Sequence, residues 1–161
     1  MRLLFVCLGN ICRSPTAQGV FEKLLASDAL ADQITVDSAG TAAYHVGKPP
    51  DSRAIAAAAR RGVDLTMLRA RAVADSDFYN FDLILAADRS NLQDLIRRAP
   101  ADCTARIKLF MNYAPTHPVA EVPDPYYGGE QGFEEVLDML EEASRGLLLS
   151  LGRQLSAATV S

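Results

Sequence analysis

The sequence predicts an α/β fold: a single domain over residues 1-161, with a four-stranded parallel sheet flanked by helices on both faces. Three observations carry this expectation. Four short apolar runs alternate with segments of helical period. Strands separated by helices pair in parallel and are covered on both faces. The chain has 161 residues, 49% of them apolar, which suits one core, and it shows no repeat, low-complexity tract or interdomain linker.

The elements follow in order. Leu3–Val6 is an apolar run ending in a glycine-containing loop, and reads as a buried strand. Pro15 to about Ala29 reads as a helix with Ser14 as N-cap and Pro15 at its first position. Ile34–Asp37 is the second strand. Asp51 to Arg61 is a helix, capped by Asp51 and stopped by Gly62. Asp75–Tyr79 is a helical turn, and Leu83–Ala87 the third strand. Ser90–Arg98 is a helix closed by Pro100, and Ile107–Met111 the fourth strand. Asn112–Glu130 holds four prolines and two glycines and reads as a long loop, a kind of segment that tends to carry function. A last helix begins near Gln131, with Phe133, Val136, Leu137, Leu140, Leu147, Leu148 and Leu151 at helical spacing. Ligands of open parallel sheets bind at the carboxyl ends of the strands, which here carry Cys7, Ser38, Asp88 and the loop of Asp124.

Composition narrows the function. The formal charge is −4, from 16 basic and 20 acidic residues, and a nucleic-acid binder is expected to be basic. No segment is long and apolar enough to span a bilayer, and Leu3–Leu8 is too short for a signal-peptide core, so no membrane is expected. Three cysteines, Cys7, Cys12 and Cys103, do not make a secreted disulfide framework, and a cytoplasmic protein with reduced thiols is expected. His45 and His117 lie in unlike segments, so Cys7 and Cys12 lack the companions a zinc site needs, and no zinc site is expected.

The chemistry sits in Cys7-Leu8-Gly9-Asn10-Ile11-Cys12-Arg13-Ser14, between the first strand and the first helix. Such a loop can turn its backbone N–H groups inward around an anion, assisted by the positive end of the helix. Gly9 and Asn10 tolerate the positive φ a tight loop needs. Arg13 can offer two parallel donors to phosphate oxygens. A helix N-terminus and a nearby cation favour the thiolate, so Cys7 is expected to act as a nucleophile, with Ser14 donating to its sulfur. In-line attack on phosphorus would give a phosphocysteine. A phenolate leaving group, with a conjugate pKa of about 10, then needs a proton. Asp124, held between Pro123 and Pro125, is the candidate acid, and Tyr126 and Tyr127 can wall an aromatic substrate.

These residues resemble a known family. Val6-Cys7-Leu8-Gly9-Asn10-Ile11-Cys12-Arg13-Ser14-Pro15 together with Asp124-Pro125-Tyr126-Tyr127 is similar to the low-molecular-weight protein tyrosine phosphatases. Asp37-Ser38-Ala39-Gly40 and Ala87-Asp88-Arg89-Ser90-Asn91-Leu92 extend the likeness along essentially the whole chain. The resemblance implies Cys7 as nucleophile, Arg13 as phosphate clamp, Asp124 as acid then base, Asn10 and Ser38 as supports of the loop, and Ser14 as the aid to the thiolate. It implies no metal or organic cofactor, and a phosphotyrosine protein as partner, a tyrosine kinase being one such protein. Tyr44 and His45 fall on the rim where the family varies. Rival readings are an arsenate reductase, which needs two further cysteines where only Cys103 stands outside the loop, and a protein-arginine phosphatase, which tends to have Thr where this chain has Ile11. A phosphate-binding adaptor would need neither the thiol nor the Pro-held Asp. Finally, an accessible thiolate is readily oxidised to sulfenic acid, and Cys12 in the same loop is expected to trap it as a Cys7–Cys12 disulfide.

Overall fold

In the computed structural model, which describes residues 1–160, four parallel strands form one sheet in the order β2-β1-β3-β4. The chain runs β1 (Arg2–Cys7), α1 (Arg13–Ala26), β2 (Thr35–Gly40), α2 (Ser52–Arg60), α3 (Asp77–Asn80), β3 (Leu83–Ala86), α4 (Arg89–Arg98), β4 (Arg106–Leu109), a 3₁₀ turn (Phe110–Tyr113) and α5 (Glu130–Val160). The side-chain period of two on β1 sorts its residues between the faces. Leu3, Phe5 and Cys7 face a core closed by α1 and α5, including Phe21, Leu140 and Leu147. Leu4 and Val6 face a second core closed by Phe78 of α3 and Leu95 of α4. Helix α2 packs outside the sheet, against α1 and α5, through Ala54, Ala57 and Ala58.

Strand order positions the site. β1 is flanked by β2 on one side and β3 on the other, so the chain leaves β1 toward one side and later returns to the opposite side. That reversal opens a crevice beyond the carboxyl end of β1, where Cys7 stands.

Several boundaries differ from the sequence expectation, each for a local reason. Helix α1 starts at Arg13 rather than Pro15 and ends at Ala26 rather than Ala29. Its N-cap is Cys12, without a side-chain cap; Ser14 is not the cap, because its hydroxyl is turned toward Cys7. Pro15 still lies in the first turn, where a backbone N–H has no helical partner to lose. At the other end Asp28 Oδ1 accepts from the Leu30 N–H at 2.9 Å, an alternative to helical bonding. β2 covers Thr35–Gly40 rather than Ile34–Asp37, since the small residues Ser38, Ala39 and Gly40 continue the register against Phe5, Val6 and Cys7. β4 is shifted to Arg106–Leu109, and Phe110 leaves the sheet to set its ring 5.0 Å from that of Phe5. Arg60 and Arg61, at the end of α2, pair with Glu134, and Arg61 also with Asp138 and Glu141, fastening α2 to α5.

Candidate active site

The loop after β1 wraps a cavity of about 310 Å³ lined by Cys7, Leu8, Gly9, Ile11, Cys12 and Arg13, with Tyr44, His45, Asp124, Tyr126 and Tyr127 on its walls. How the loop is held follows from its carbonyls. Those of Cys7 and Leu8 accept from the N–H groups of Thr41 and Ala42, both at 2.9 Å. That of Ile11 accepts from Asp51 N–H at 2.8 Å, and that of Cys12 from the Thr16 hydroxyl at 2.6 Å. Each peptide is planar and trans, so N–H groups following these outward carbonyls point the opposite way, inward. The loop thereby becomes a ring of donors at the start of α1, a concave anion site.

Two close fits shape the ring. Asn10 alone among its residues has positive φ, 56°. Gly9 does not; its lack of a side chain serves closeness instead, since a Cβ there would stand 2.9 Å from His45 Cδ2. Gly40, at the end of β2, lies under the loop, where a Cβ would sit 2.7 Å from the Leu8 carbonyl oxygen.

Side chains beneath the loop form a hydrogen-bonded chain with a fixed direction. Arg71 N–H donates to Asn10 Oδ1 at 3.0 Å, which leaves Asn10 Nδ2 to donate to Ser14 Oγ (2.7 Å) and Ser38 Oγ (3.0 Å). Ser38 passes its own proton to Gln18 Oε1 at 2.7 Å. Ser14, having accepted from Asn10, holds a proton that only Cys7 Sγ at 3.0 Å or the Ala39 carbonyl at 3.4 Å can take. The shorter contact is to sulfur, and a hydroxyl donating there favours the thiolate over the thiol.

Arg13 is buried, yet charged. Its Nη1 donates to Asp88 Oδ2 at 2.6 Å and to the Val122 carbonyl at 3.0 Å, and Nη2 lies 3.8 Å from Asp124 Oδ2. Burial alone would weaken the guanidinium, but Cys7, Asp88 and Asp124 outweigh it and hold its pKa above the ordinary arginine value. Asp88 serves twice, for its other oxygen caps α4 by accepting from Asn91 N–H at 2.8 Å. Cys12 behaves oppositely: burial, then Asp51, Cys7 and Asp124, push its pKa up to about 12. Cys7 and Cys12 are both free.

The rim is aromatic. Tyr126 and Tyr127 meet edge to face with centroids 4.9 Å apart, and His45 lies 6.3 Å from Tyr126 and 6.4 Å from Tyr44. Asp124 Oδ1 accepts from Tyr126 N–H at 3.0 Å. Of the site residues expected from sequence, Cys7, Leu8, Gly9, Ile11, Cys12, Arg13, Tyr44, His45, Asp124, Tyr126 and Tyr127 line the cavity, and Asn10, Ser14, Ser38 and Asp88 lie in the layer behind it. Sequence reasoning missed Gln18, Gly40, Arg53 and Arg71; only Gly40 carried a signal, standing at the end of the quoted Asp37–Gly40 stretch. Among the described residues, no three His, Cys, Asp or Glu gather as a metal site would require.

A parallel α/β sheet whose central strand delivers a cysteine into an inward-facing N–H ring, beside a buried arginine, defines a class of oxyanion-binding thiol proteins. Its family can be stated plainly. Residues 2–157 match the family of the low molecular weight phosphotyrosine protein phosphatases, and the chain belongs to it. A relative in Schizosaccharomyces pombe, a low molecular weight phosphotyrosine protein phosphatase, is 42% identical over 152 residues, 94% of this chain and 97% of its own. The fold matches the crystal structure of an Entamoeba histolytica protein tyrosine phosphatase with Hepes in its active site, at TM-score 0.92 and 44% identity, covering 96% of this chain and 98% of that one. It also matches a Drosophila arginine phosphatase at TM-score 0.89 and 32% identity, covering 94% and 98%.

Proposed function

We propose that this chain hydrolyses phosphotyrosine in proteins through a phosphocysteine intermediate. The observation that carries the reading is Cys7 Sγ lining the cavity beside Arg13 and 3.0 Å from the Ser14 hydroxyl. The ring and Arg13 bind the phosphoryl oxygens, and their preorganised dipoles stabilise charge as it spreads over phosphorus. The Cys7 thiolate attacks phosphorus as the phenolic oxygen departs. Asp124, across the cavity, gives that oxygen a proton and then takes one from the water that releases phosphate. Tyr126, Tyr127, Tyr44 and His45 form the wall that would receive the phenyl ring.

Two variants test this. Cys7→Ser should bind vanadate but not turn over; appreciable hydrolysis would remove the nucleophile assignment. Asp124→Asn should lose about 10²–10⁴-fold on poor leaving groups and much less on nitrophenolate. An equal loss on both would reduce Asp124 to a support of its loop.

Arginine phosphatase is the second reading, favoured by the Drosophila match. Ile11 lines the cavity here, and its branched apolar side chain offers no hydrogen bond to a guanidinium. Phosphotyrosine and phosphoarginine peptides of one sequence would decide between the two. We also assign the chain to the cytoplasm, on its three free cysteines. There, peroxide would oxidise Cys7 to a sulfenic acid, which the Cys12 thiol displaces with loss of water to give a disulfide that thiols reduce. Cys12→Ser should leave basal turnover largely intact yet make peroxide damage harder to reverse with dithiothreitol. Equal recovery, with no bridged peptide in mass spectra of the oxidised wild type, would exclude it.

A further inference from the structure

We propose that Arg53 is a positioning residue that sets the acid-bearing loop at a fixed distance from the phosphate loop. The proposal rests on the assignment of Asp124 as the acid.

The contacts form one path. Asp51 N–H donates to the Ile11 carbonyl of the phosphate loop at 2.8 Å. The Asp51 carboxylate grips the Arg53 guanidinium by two edges, with Nε to Oδ1 at 3.0 Å and Nη2 to Oδ2 at 2.9 Å. The outer donors of the same guanidinium cross to the acid loop, Nη2 to the Tyr126 carbonyl at 2.9 Å and Nη1 to the Gly128 carbonyl at 3.2 Å. Tyr126 N–H in turn donates to Asp124 Oδ1 at 3.0 Å. The guanidinium carbon also lies over the Tyr126 ring at 5.6 Å and the Phe133 ring at 4.8 Å.

The acid loop has few other anchors. Up to Val122 it is tied to the sheet, since Val122 N–H donates to the Ala87 carbonyl at 2.9 Å and its own carbonyl accepts from Arg13. Beyond that point, the polar contacts between residues 123–129 and the described chain on either side are those with Arg53, the long Arg13–Asp124 pair at 3.8 Å, and the Gly129 carbonyl accepting from Gly132 N–H at 3.1 Å where α5 begins. Most of this stretch is exposed, although Pro125 is buried.

The Arg53 side chain is not needed to begin α2. The cap is the Asp51 carboxylate accepting from the Arg53 backbone N–H at 2.8 Å, a bond any residue but proline at 53 can make. The Arg53 side chain is thus available for the loop. The ion pair also persists across the working range. Its hydrogen bond to Arg53 holds the Asp51 carboxyl below the usual carboxylate range, and the bond from Asp51 holds Arg53 above the usual arginine value.

The test compares kcat/KM for phenyl phosphate and p-nitrophenyl phosphate, because only the poorer leaving group depends strongly on the acid. Arg53→Met keeps the apolar stem against Phe133 but removes the fork. It should lower kcat/KM on phenyl phosphate about 10- to 100-fold, as an ångström of misplacement does, and change the nitrophenyl ester by less than about 3-fold. Arg53→Lys should not rescue, because one ammonium cannot hold a carboxylate by two edges and reach two carbonyls. In an Asp124→Asn background, Arg53→Met should add almost nothing. Phosphate protection of Cys7 from alkylation reports an intact phosphate loop in each variant. Should Arg53→Met fail to fold, Asp51→Asn, which retains a capping oxygen, should show a smaller loss with the same leaving-group bias. Equal losses on both esters, or full additivity with Asp124→Asn, would overturn the proposal. If Asp124→Asn itself treats both esters alike, the acid assignment falls and the positioning role with it. If Asp124→Asn discriminates and Arg53→Met does not, only the positioning role falls.

Discussion

Replacing Asn10 separates two physical costs that the phosphate loop imposes on one residue. Asn10 is buried, has φ of 56°, donates to Ser14 and Ser38, and accepts from Arg71 N–H. Asn10→Gly removes the three bonds but accepts the backbone conformation freely. After it Ser38 still has Gln18 and Ser14 still has Cys7 and Ala39, whereas the Arg71 N–H is left without its acceptor. At about 1 kcal/mol per bond, the loss is about 3 kcal/mol. Asn10→Ala loses the same bonds and adds about 1–2 kcal/mol for a Cβ in the left-handed region. For a chain of this size that is a Tm lower by about 6–12 °C for Gly and about 8–20 °C for Ala. Asn10→Asp is the informative third member. It restores an acceptor for Arg71 but cannot donate, so Ser14 turns its proton to the new carboxylate and away from sulfur. Stability should recover in part while turnover falls. Urea unfolding followed by circular dichroism, beside kcat/KM, measures both. Ala as stable as Gly would refute the backbone argument, and an Asp variant of full activity would refute the directed hydrogen-bond chain.

Three further outcomes are expected. Gly40→Ala should cost turnover more than any exposed Gly→Ala change, because its Cβ would press within 2.7 Å of the Leu8 carbonyl and tilt the N–H ring; unchanged vanadate affinity would refute this. Cys12, with its pKa raised to about 12 against an ordinary 9.0, favours the folded state most below pH 9, where both states keep the proton. As pH rises from 9 toward 12 the unfolded chain ionises first and stability falls by about 1.4 kcal/mol per pH unit, so Cys12→Ala should flatten the alkaline limb in denaturant titrations, and an unaltered limb would contradict the assignment. Ile11→Thr should raise the phosphoarginine to phosphotyrosine activity ratio by removing bulk from the cavity wall and adding a hydroxyl; a constant ratio would show that Ile11 does not set the choice.

The fold was legible wherever a run of apolar residues had a period, and least so where small residues did strand work. β1 and β3 announce themselves as Leu3–Val6 and Leu83–Ala87 because both faces of a central strand are buried, which demands continuous apolar sequence. The end of β2 does not. Ser38, Ala39 and Gly40 read as loop, yet they pair with Phe5, Val6 and Cys7, and their smallness is what lets the phosphate loop lie on them. Ser14 misled for a related reason. Its place before Pro15 has the form of a cap, but the helix already begins at Arg13 and the Ser14 hydroxyl is turned to Cys7.

At the site, the residues of the Cys7–Ser14 loop stand together in sequence, so the loop could be picked out from its spacing. Cys7 through Ser14 is one turn of chain, and Asp124 declares itself between two prolines. What holds these groups in register could not be read that way. Arg53 reaches Tyr126 across 73 residues, Arg13 reaches Asp88 across 75 and Val122 across 109, and Arg71 reaches Asn10 across 61. Val122 and Tyr126 have no local pattern as partners, because the arginines that reach them need only length and five donors, and the Arg71 link is a backbone N–H, which every residue but proline has. Sequence therefore tells which side chains share a loop, while the placing of the Asp124 loop against the Cys7 loop depends on long-range bonds to backbone carbonyls. Carbonyls at Val122, Tyr126 and Gly128 leave no trace in the amino-acid code, since every residue supplies one.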